Sequence, residues 1–379
     1  MRSKSVSSVV ALVLSGALVA LGQGQGQAPG QAQAPRQGPG VQAPQDARYA
    51  DLIAKCKTPP PARGGAGARG AGAGGPGAAG GGAQGRGGGA GGPAAAAAGP
   101  REYTVTAIPG VIAAGQQWKL VWEGTGNNAD GILSANDGAL LIAQNDNSAV
   151  VKLESDGKTS VVYRDTNTGG ALSMNTKGAL FLVSRGLNQA VLQLAPERKT
   201  LANRYRDDPL DCIGGVINDL TADSKGGVYF TMGGVFYASP TGVVTRYGEN
   251  LTTNGILLSR DEKTLYVTNG PSVAAFDVQP DASLTNQRQF VAFEGGGGGD
   301  GLAVDSEGRL YVTAPGGPGI QVVSPEGKIL GLIPTPRGAI TAAFAGPDKK
   351  TLYFVANNRT TFQVYSIPMI AQGYKGRAK

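Results

Sequence analysis

The chain has 379 residues and no histidine, which removes Ser-His-Asp and Cys-His catalysis, imidazole zinc sites and histidine general bases. Its formal charge of +7 is confined to the N-terminal hundred residues: nine Lys/Arg against two Asp/Glu precede Arg101, and twenty-five of each follow. The pI of 9.3 is therefore no mark of a nucleic-acid-binding domain, and a small-molecule partner is expected rather than a polyanion.

In chain order, residues 1–22 read as a secretory signal peptide. Arg2 and Lys4 precede an apolar run over residues 9–21, too short to span a bilayer, and small residues follow for cleavage. A secreted or periplasmic protein is expected, with no membrane insertion after the signal is removed. Residues 23–100 read as a low-complexity linker. Within it the tract 64–99 holds only Gly, Ala, Arg, Pro and Gln and has almost nothing to bury, so disorder is expected. Ala47, Tyr49, Leu52 and Ile53 suggest one short helix over 46–57. The two cysteines, Cys56 and Cys212, either bridge that helix to the downstream domain or remain two unpaired thiols.

From residue 129 onward one phrase recurs six times: a polar residue, a small or apolar pair, a turn, then Leu-Tyr-Val or a close relative. The copies start at Ala129, Gly170, Asn218, Asn254, Asp300 and Thr341, about 36 to 48 residues apart. Within each, short β-branched and aromatic runs are separated by Gly, Asp, Pro and Ser, the pattern of successive hairpins. The expected fold is all-β, a six-bladed β-propeller over residues 101–370 with a tail at 371–379. Residues 103–107 and 118–122 read as outer strands of the last blade, closing the ring. A monomer is expected.

The repeat also sorts the acids. Asp137, Asp223, Asp261, Asp305 and Asp348 follow the innermost strand, where an Asp caps its own turn. Asp130, Asn218, Asn254 and Asp300 instead stand where innermost strands begin, so that their side chains converge on the central channel. Two carboxylates and two amides make an oxygen-only cage suited to one divalent cation, calcium first, with magnesium, manganese or zinc as alternatives. Asp219 adjoins the cage and is a second candidate base.

Three segments, Asn218-Asp219-Leu220, Thr253-Asn254-Gly255-Ile256 and Gly299-Asp300-Gly301-Leu302, resemble the regucalcin (senescence marker protein), gluconolactonase and luciferin-regenerating-enzyme family. That resemblance implies a six-bladed propeller with one divalent cation in its channel and hydrolysis of sugar lactones. It also implies that Asn254 and Asp300 ligate the metal, that Asn218 faces the substrate beside it, and that Asp300 serves as acid and base. Asp130-Gly131 stands where the family has Glu-Gly, which keeps the charge and shortens the reach by one methylene. Val216 stands where members acting on sugar acid lactones have Arg, and Gly169-Gly170 where relatives place Asn.

The expected activity is therefore a secreted, metal-dependent hydrolase of lactones or related small esters. Asp300 is the catalytic residue and Asp219 its alternative. Asn218 binds substrate, and Asp130, Asn254 and Asp300 hold the metal, with Asn218 a further candidate ligand. A non-catalytic propeller that uses the same metal structurally is the rival expectation.

Overall fold

The computed structural model describes residues 40–60, 100–126, 129–293, 298–314, 316–358 and 361–376. The signal peptide and the Gly/Ala-rich tract expected from the sequence lie outside these residues.

Six four-stranded antiparallel sheets form six blades. Five are built from consecutive strands, beginning at Ala129–Ser134, Gly169–Met174, Leu220–Ala222, Thr253–Leu258 and Leu302–Val304. The sixth takes Thr341–Ala345, Thr351–Asn358 and Thr361–Pro368 from the C-terminal end and borrows Lys119–Thr125 from the start of the domain. That borrowed strand runs antiparallel to Thr361–Pro368, from Lys119 opposite Ser366 to Thr125 opposite Thr361. The ring is thereby closed through hydrogen bonds between the two ends of the domain, with the borrowed strand outermost in the sixth blade.

Burial follows the radius. Inner and middle strands such as Leu180–Ser184 and Val228–Thr231 are buried along their whole length, while the outermost Thr159–Tyr163 is mostly exposed. The turns after the innermost strands are fixed by their acids. Oδ1 of Asp223 accepts the amides of Lys225 and Gly227 at 2.9 and 2.7 Å, and Oδ1 of Asp305 those of Glu307 and Arg309 at 2.9 and 3.0 Å. Asp137, Asp261 and Asp348 accept the amide two residues on in the same way.

Residues 103–107 do not form the strand expected of them. Pro109 and the left-handed Gly110 and Gly115 bend the segment back on itself. Val105, Ile108, Val111 and Ile112 are instead buried against the last two blades. Trp118 completes that plug, edge-on to Phe354 with ring centroids 4.6 Å apart and its indole N–H on the Pro334 carbonyl at 2.8 Å. Toward the other end of the chain, residues 372–374 lie against the fifth blade, where Gly373 bridges to Asp305.

The segment 40–60 carries a 3-10 turn, Ala43–Gln45, and a short α-helix, Tyr49–Ile53. None of that helix is buried. What holds the segment are flanking contacts: Gly40 N–H on Asp146 O at 2.7 Å, Ala43 N–H on Arg185 O at 2.8 Å, and the amides of Lys57 and Thr58 on the Asp208 carboxylate, each at 2.9 Å. Cys56 and Cys212 are bonded to each other, with Cα atoms 5.8 Å apart. The segment is thus a strap, pinned covalently to the loop before the third blade.

Candidate functional site at the channel mouth

The innermost strands begin at one end of the channel, and glycine sets how closely they meet there. A Cβ on Gly255 would stand 2.0 Å from the Asp300 carbonyl, and one on Gly301 would stand 2.4 Å from Thr341 Oγ1. The Asn-Gly and Asp-Gly pairs are therefore close-approach devices, and the polar residue ahead of each glycine is carried to the mouth.

Asp130, Asn218, Asn254 and Asp300 are all half-buried there. Three of them belong to one connected network whose hub is Arg185, a residue only 3 % exposed. Its Nη1 pairs with the Asp130 carboxylate. Its Nε donates to Ile217 O at 3.1 Å, and its Nη2 to both Asn218 O and Asn218 Oδ1, the latter at 2.8 Å. A guanidinium only donates, so Asn218 must turn its oxygen to Arg185 and its Nδ2 away. That Nδ2 donates to Asn254 Oδ1 at 2.7 Å. The chain of contacts runs Asp130, Arg185, Asn218, Asn254, and the orientation of each amide follows from the one before.

Gly170 explains how Arg185 fits. A Cβ there would stand 2.2 Å from Arg185 Nε, so the Gly169-Gly170 start of the second blade leaves room for the guanidinium. The strap reaches the same residue, since Ala43 binds the Arg185 carbonyl.

Asp219 is placed differently. Its Oδ1 accepts its neighbour's amide, Leu220 N–H, at 2.8 Å, and its Oδ2 accepts Ile256 N–H at 2.9 Å. The residue is 7 % exposed. Oδ1 thus braces the start of the third blade's own innermost strand, and Oδ2 joins that blade to the fourth. Asp300 receives Thr268 Oγ1 on its carbonyl at 3.1 Å and gives its amide to Thr313 O at 2.8 Å.

Arg185 was not legible as a site residue, although a signal existed. The second strand of the third, fourth and fifth blades carries Thr231, Thr268 and Thr313 at one register position, directly after Phe230, Val267 and Val312. Each threonine hydroxyl donates to the carbonyl where the next blade begins: Asn254, Asp300 and Ile340. In the second blade the register puts Val183 there, with no hydroxyl. Arg185, two residues further, supplies the missing donor to Ile217 and Asn218.

Asp130, Asn254 and Asp300 offer oxygen alone, the donor chemistry of a hard divalent cation. Among the described residues no three His, Cys, Asp or Glu side chains cluster, so a cation here would lean on amide oxygens as well. The position of Arg185 bears on that chemistry: Asp130, one of the three, already faces a positive charge, and it is the chain's own. A cavity of about 460 Å³ opens at the other end of the channel, between Asn136, Asn175, Lys177 and Lys349. Burial and nearby Lys375 push the Lys349 ammonium below its usual range there, and none of the four mouth residues lines that cavity.

Residues 128–358 match the family described as the SMP-30/gluconolactonase/LRE-like region. A gluconolactonase of Zymomonas mobilis is 26 % identical over 230 residues, which cover 52 % of this chain and 62 % of that protein. A lactonase drp35 of Staphylococcus saprophyticus is 29 % identical over 267 residues, 62 % of this chain and 74 % of that one. The chain thus spans a little under two thirds of the length of the first relative. Among solved structures, a gluconolactonase from Xanthomonas campestris superposes with a TM-score of 0.61 at 21 % identity, covering 73 % of this chain and 98 % of that chain. A regucalcin from Agrobacterium tumefaciens superposes with a TM-score of 0.55 at 16 % identity, covering 69 % and 98 %. These two likenesses bear on the fold.

Proposed function

Because the chain belongs to the SMP-30/gluconolactonase/LRE-like family, we propose that it hydrolyses lactones or related small esters at the channel mouth. The observation that carries the reading is the set of polar side chains at the inner-strand starts, Asp130, Asn218, Asn254 and Asp300, within a domain whose relatives are named gluconolactonase and lactonase. The disulfide and the signal-like first 22 residues support a secreted or periplasmic setting.

Asp130, Asn254 and Asp300 would hold one divalent cation, calcium first, with Asn218 beside them. When bound, the cation would polarise the lactone carbonyl. Proton movement falls to Asp300. Its carboxylate takes a proton from the attacking water, the carbonyl carbon–ring oxygen bond breaks, and the proton passes to the departing ring oxygen. The product is a hydroxy acid, which releases one proton at neutral pH. Asp219 is less suited to that role because both of its oxygens already accept main-chain amides. Val216, half-buried and two residues before Asn218, would offer an apolar wall in place of a cationic one. Lightly hydroxylated γ- and δ-lactones are therefore the expected substrates, ahead of gluconolactone.

One observation favours a second reading, a binding propeller without turnover: Arg185 already neutralises Asp130. Asp300→Asn separates the two. It keeps an oxygen and the shape but removes the basic site, so turnover should fall by roughly 10²–10⁴-fold while the fold persists. Wild-type rates in Asp300→Asn, together with loss in Asp219→Asn, would move the base to Asp219.

A further inference from the structure

We infer that Arg185 is a built-in competitor for the divalent cation: its guanidinium occupies the charge of Asp130, and cation affinity at the mouth is set by displacing it. The inference rests on the cation site proposed above and assigns a new role within it.

Three observations carry it. The first is charge. Asp130 and Asp300 are the two carboxylates of the proposed ligand set, and Asp130 is ion-paired to a guanidinium whose side chain is 4 % exposed. A divalent cation on the same carboxylate would face that positive charge at close range with little water to screen it. The second is hydrogen bonding. Arg185 takes Asn218 Oδ1, and Asn218 Nδ2 takes Asn254 Oδ1, so the two amide oxygens at the mouth are both accepting already. Turning either oxygen to a cation breaks a contact that begins at Arg185.

The third observation is that the arginine is not needed merely to join blades. Thr231, Thr268 and Thr313 join three other blades with one neutral hydroxyl each. The second blade replaces that hydroxyl with Val183 and brings in a guanidinium, with Gly170 lacking a side chain to admit it. A staple alone would not require a charge. The charge acts on Asp130, and Arg185 is thus a positioning residue that keeps the cation site weak and exchangeable. Extracellular calcium modules work at dissociation constants of about 10⁻⁴–10⁻³ M, and wild-type affinity is expected in that range.

The test is calorimetric titration of the full chain with calcium alone, and separately with manganese, alongside melting curves in chelator and in added cation. Wild type should bind weakly. Arg185→Met frees Asp130 and should bind at least tenfold more tightly; it should melt lower than wild type in chelator and recover more when calcium is added. Arg185→Lys keeps a positive charge but loses the forked contacts to Ile217 and Asn218, so it should melt lower while binding as weakly as wild type. Arg185→Met binding no more tightly than wild type would overturn the inference, as would Lys and Met variants binding alike. Should Arg185→Met fail to fold, the wild-type titration decides: micromolar binding contradicts a competing guanidinium, and binding near 10⁻³ M agrees with it. These readouts need no turnover. Weak wild-type binding with tight Arg185→Met binding stands even if no lactone is cleaved, whereas no cation binding by either protein removes both the site and its competitor.

Discussion

The two halves of the channel mouth solve one structural problem with different chemistry. Between the third and sixth blades, threonine hydroxyls bind the carbonyls where inner strands begin, each contact neutral on both sides. Between the first and third blades the same task falls to Arg185, paired with Asp130, roofed by the strap through Ala43 and flanked by the disulfide at Cys212. Neutral staples make a permissive half, in which the carbonyls of Asn254 and Asp300 are held without a buried charge. The charged half is committed, because removing any member leaves another buried group without its partner.

That difference predicts unequal costs. Breaking the strap with Cys56→Ser, which opens a loop of 156 residues, should lower stability to urea by about 2–4 kcal/mol. A denaturation midpoint unchanged by Cys56→Ser would mean that the strap is decoration. Asp130→Asn strikes the pair itself. It leaves a nearly buried guanidinium facing a neutral amide, and a loss of about 3 kcal/mol is expected by the same unfolding measurement. In the permissive half Thr268→Val removes a neutral hydroxyl that donates to Asp300 O and accepts Gly255 N–H, and about 1–2 kcal/mol should be lost. If Thr268→Val cost as much as Asp130→Asn, the two halves would not differ as described.

Much of this was legible in the chain. The six-fold phrase fixed the number of blades, and the turn acids sorted themselves because an Asp that caps a turn sits at a fixed distance after the inner strand, as Asp223 and Asp305 do. The placement of Asp130, Asn218, Asn254 and Asp300 at one mouth follows from the same register. Other features were hidden for physical reasons. Residues 103–107 have strand-like composition, but Pro109, Gly110 and Gly115 turn them into a plug, so local propensity lost to backbone geometry. The pairing of Cys56 with Cys212 depends on where the strap docks, which no periodicity encodes. Arg185 falls just after a strand, where a basic residue reads as a solvated turn. The threonine series, Thr231, Thr268 and Thr313, breaks at Val183 but also at Ala143 and Val355 in the first and sixth blades, so it narrows the search without pointing to Arg185 alone.

The most direct test of the central claim is proton release by the purified wild-type protein, supplied with calcium, across a panel of lactones and simple esters. The account predicts steady acid production from γ- and δ-lactones, faster on lightly hydroxylated rings than on gluconolactone because the position two before Asn218 is Val216 and carries no charge, and loss of that activity in Asp300→Asn. If no lactone or ester in the panel is cleaved above the uncatalysed rate with calcium, magnesium, manganese or zinc, hydrolysis is contradicted and the propeller is a binding module.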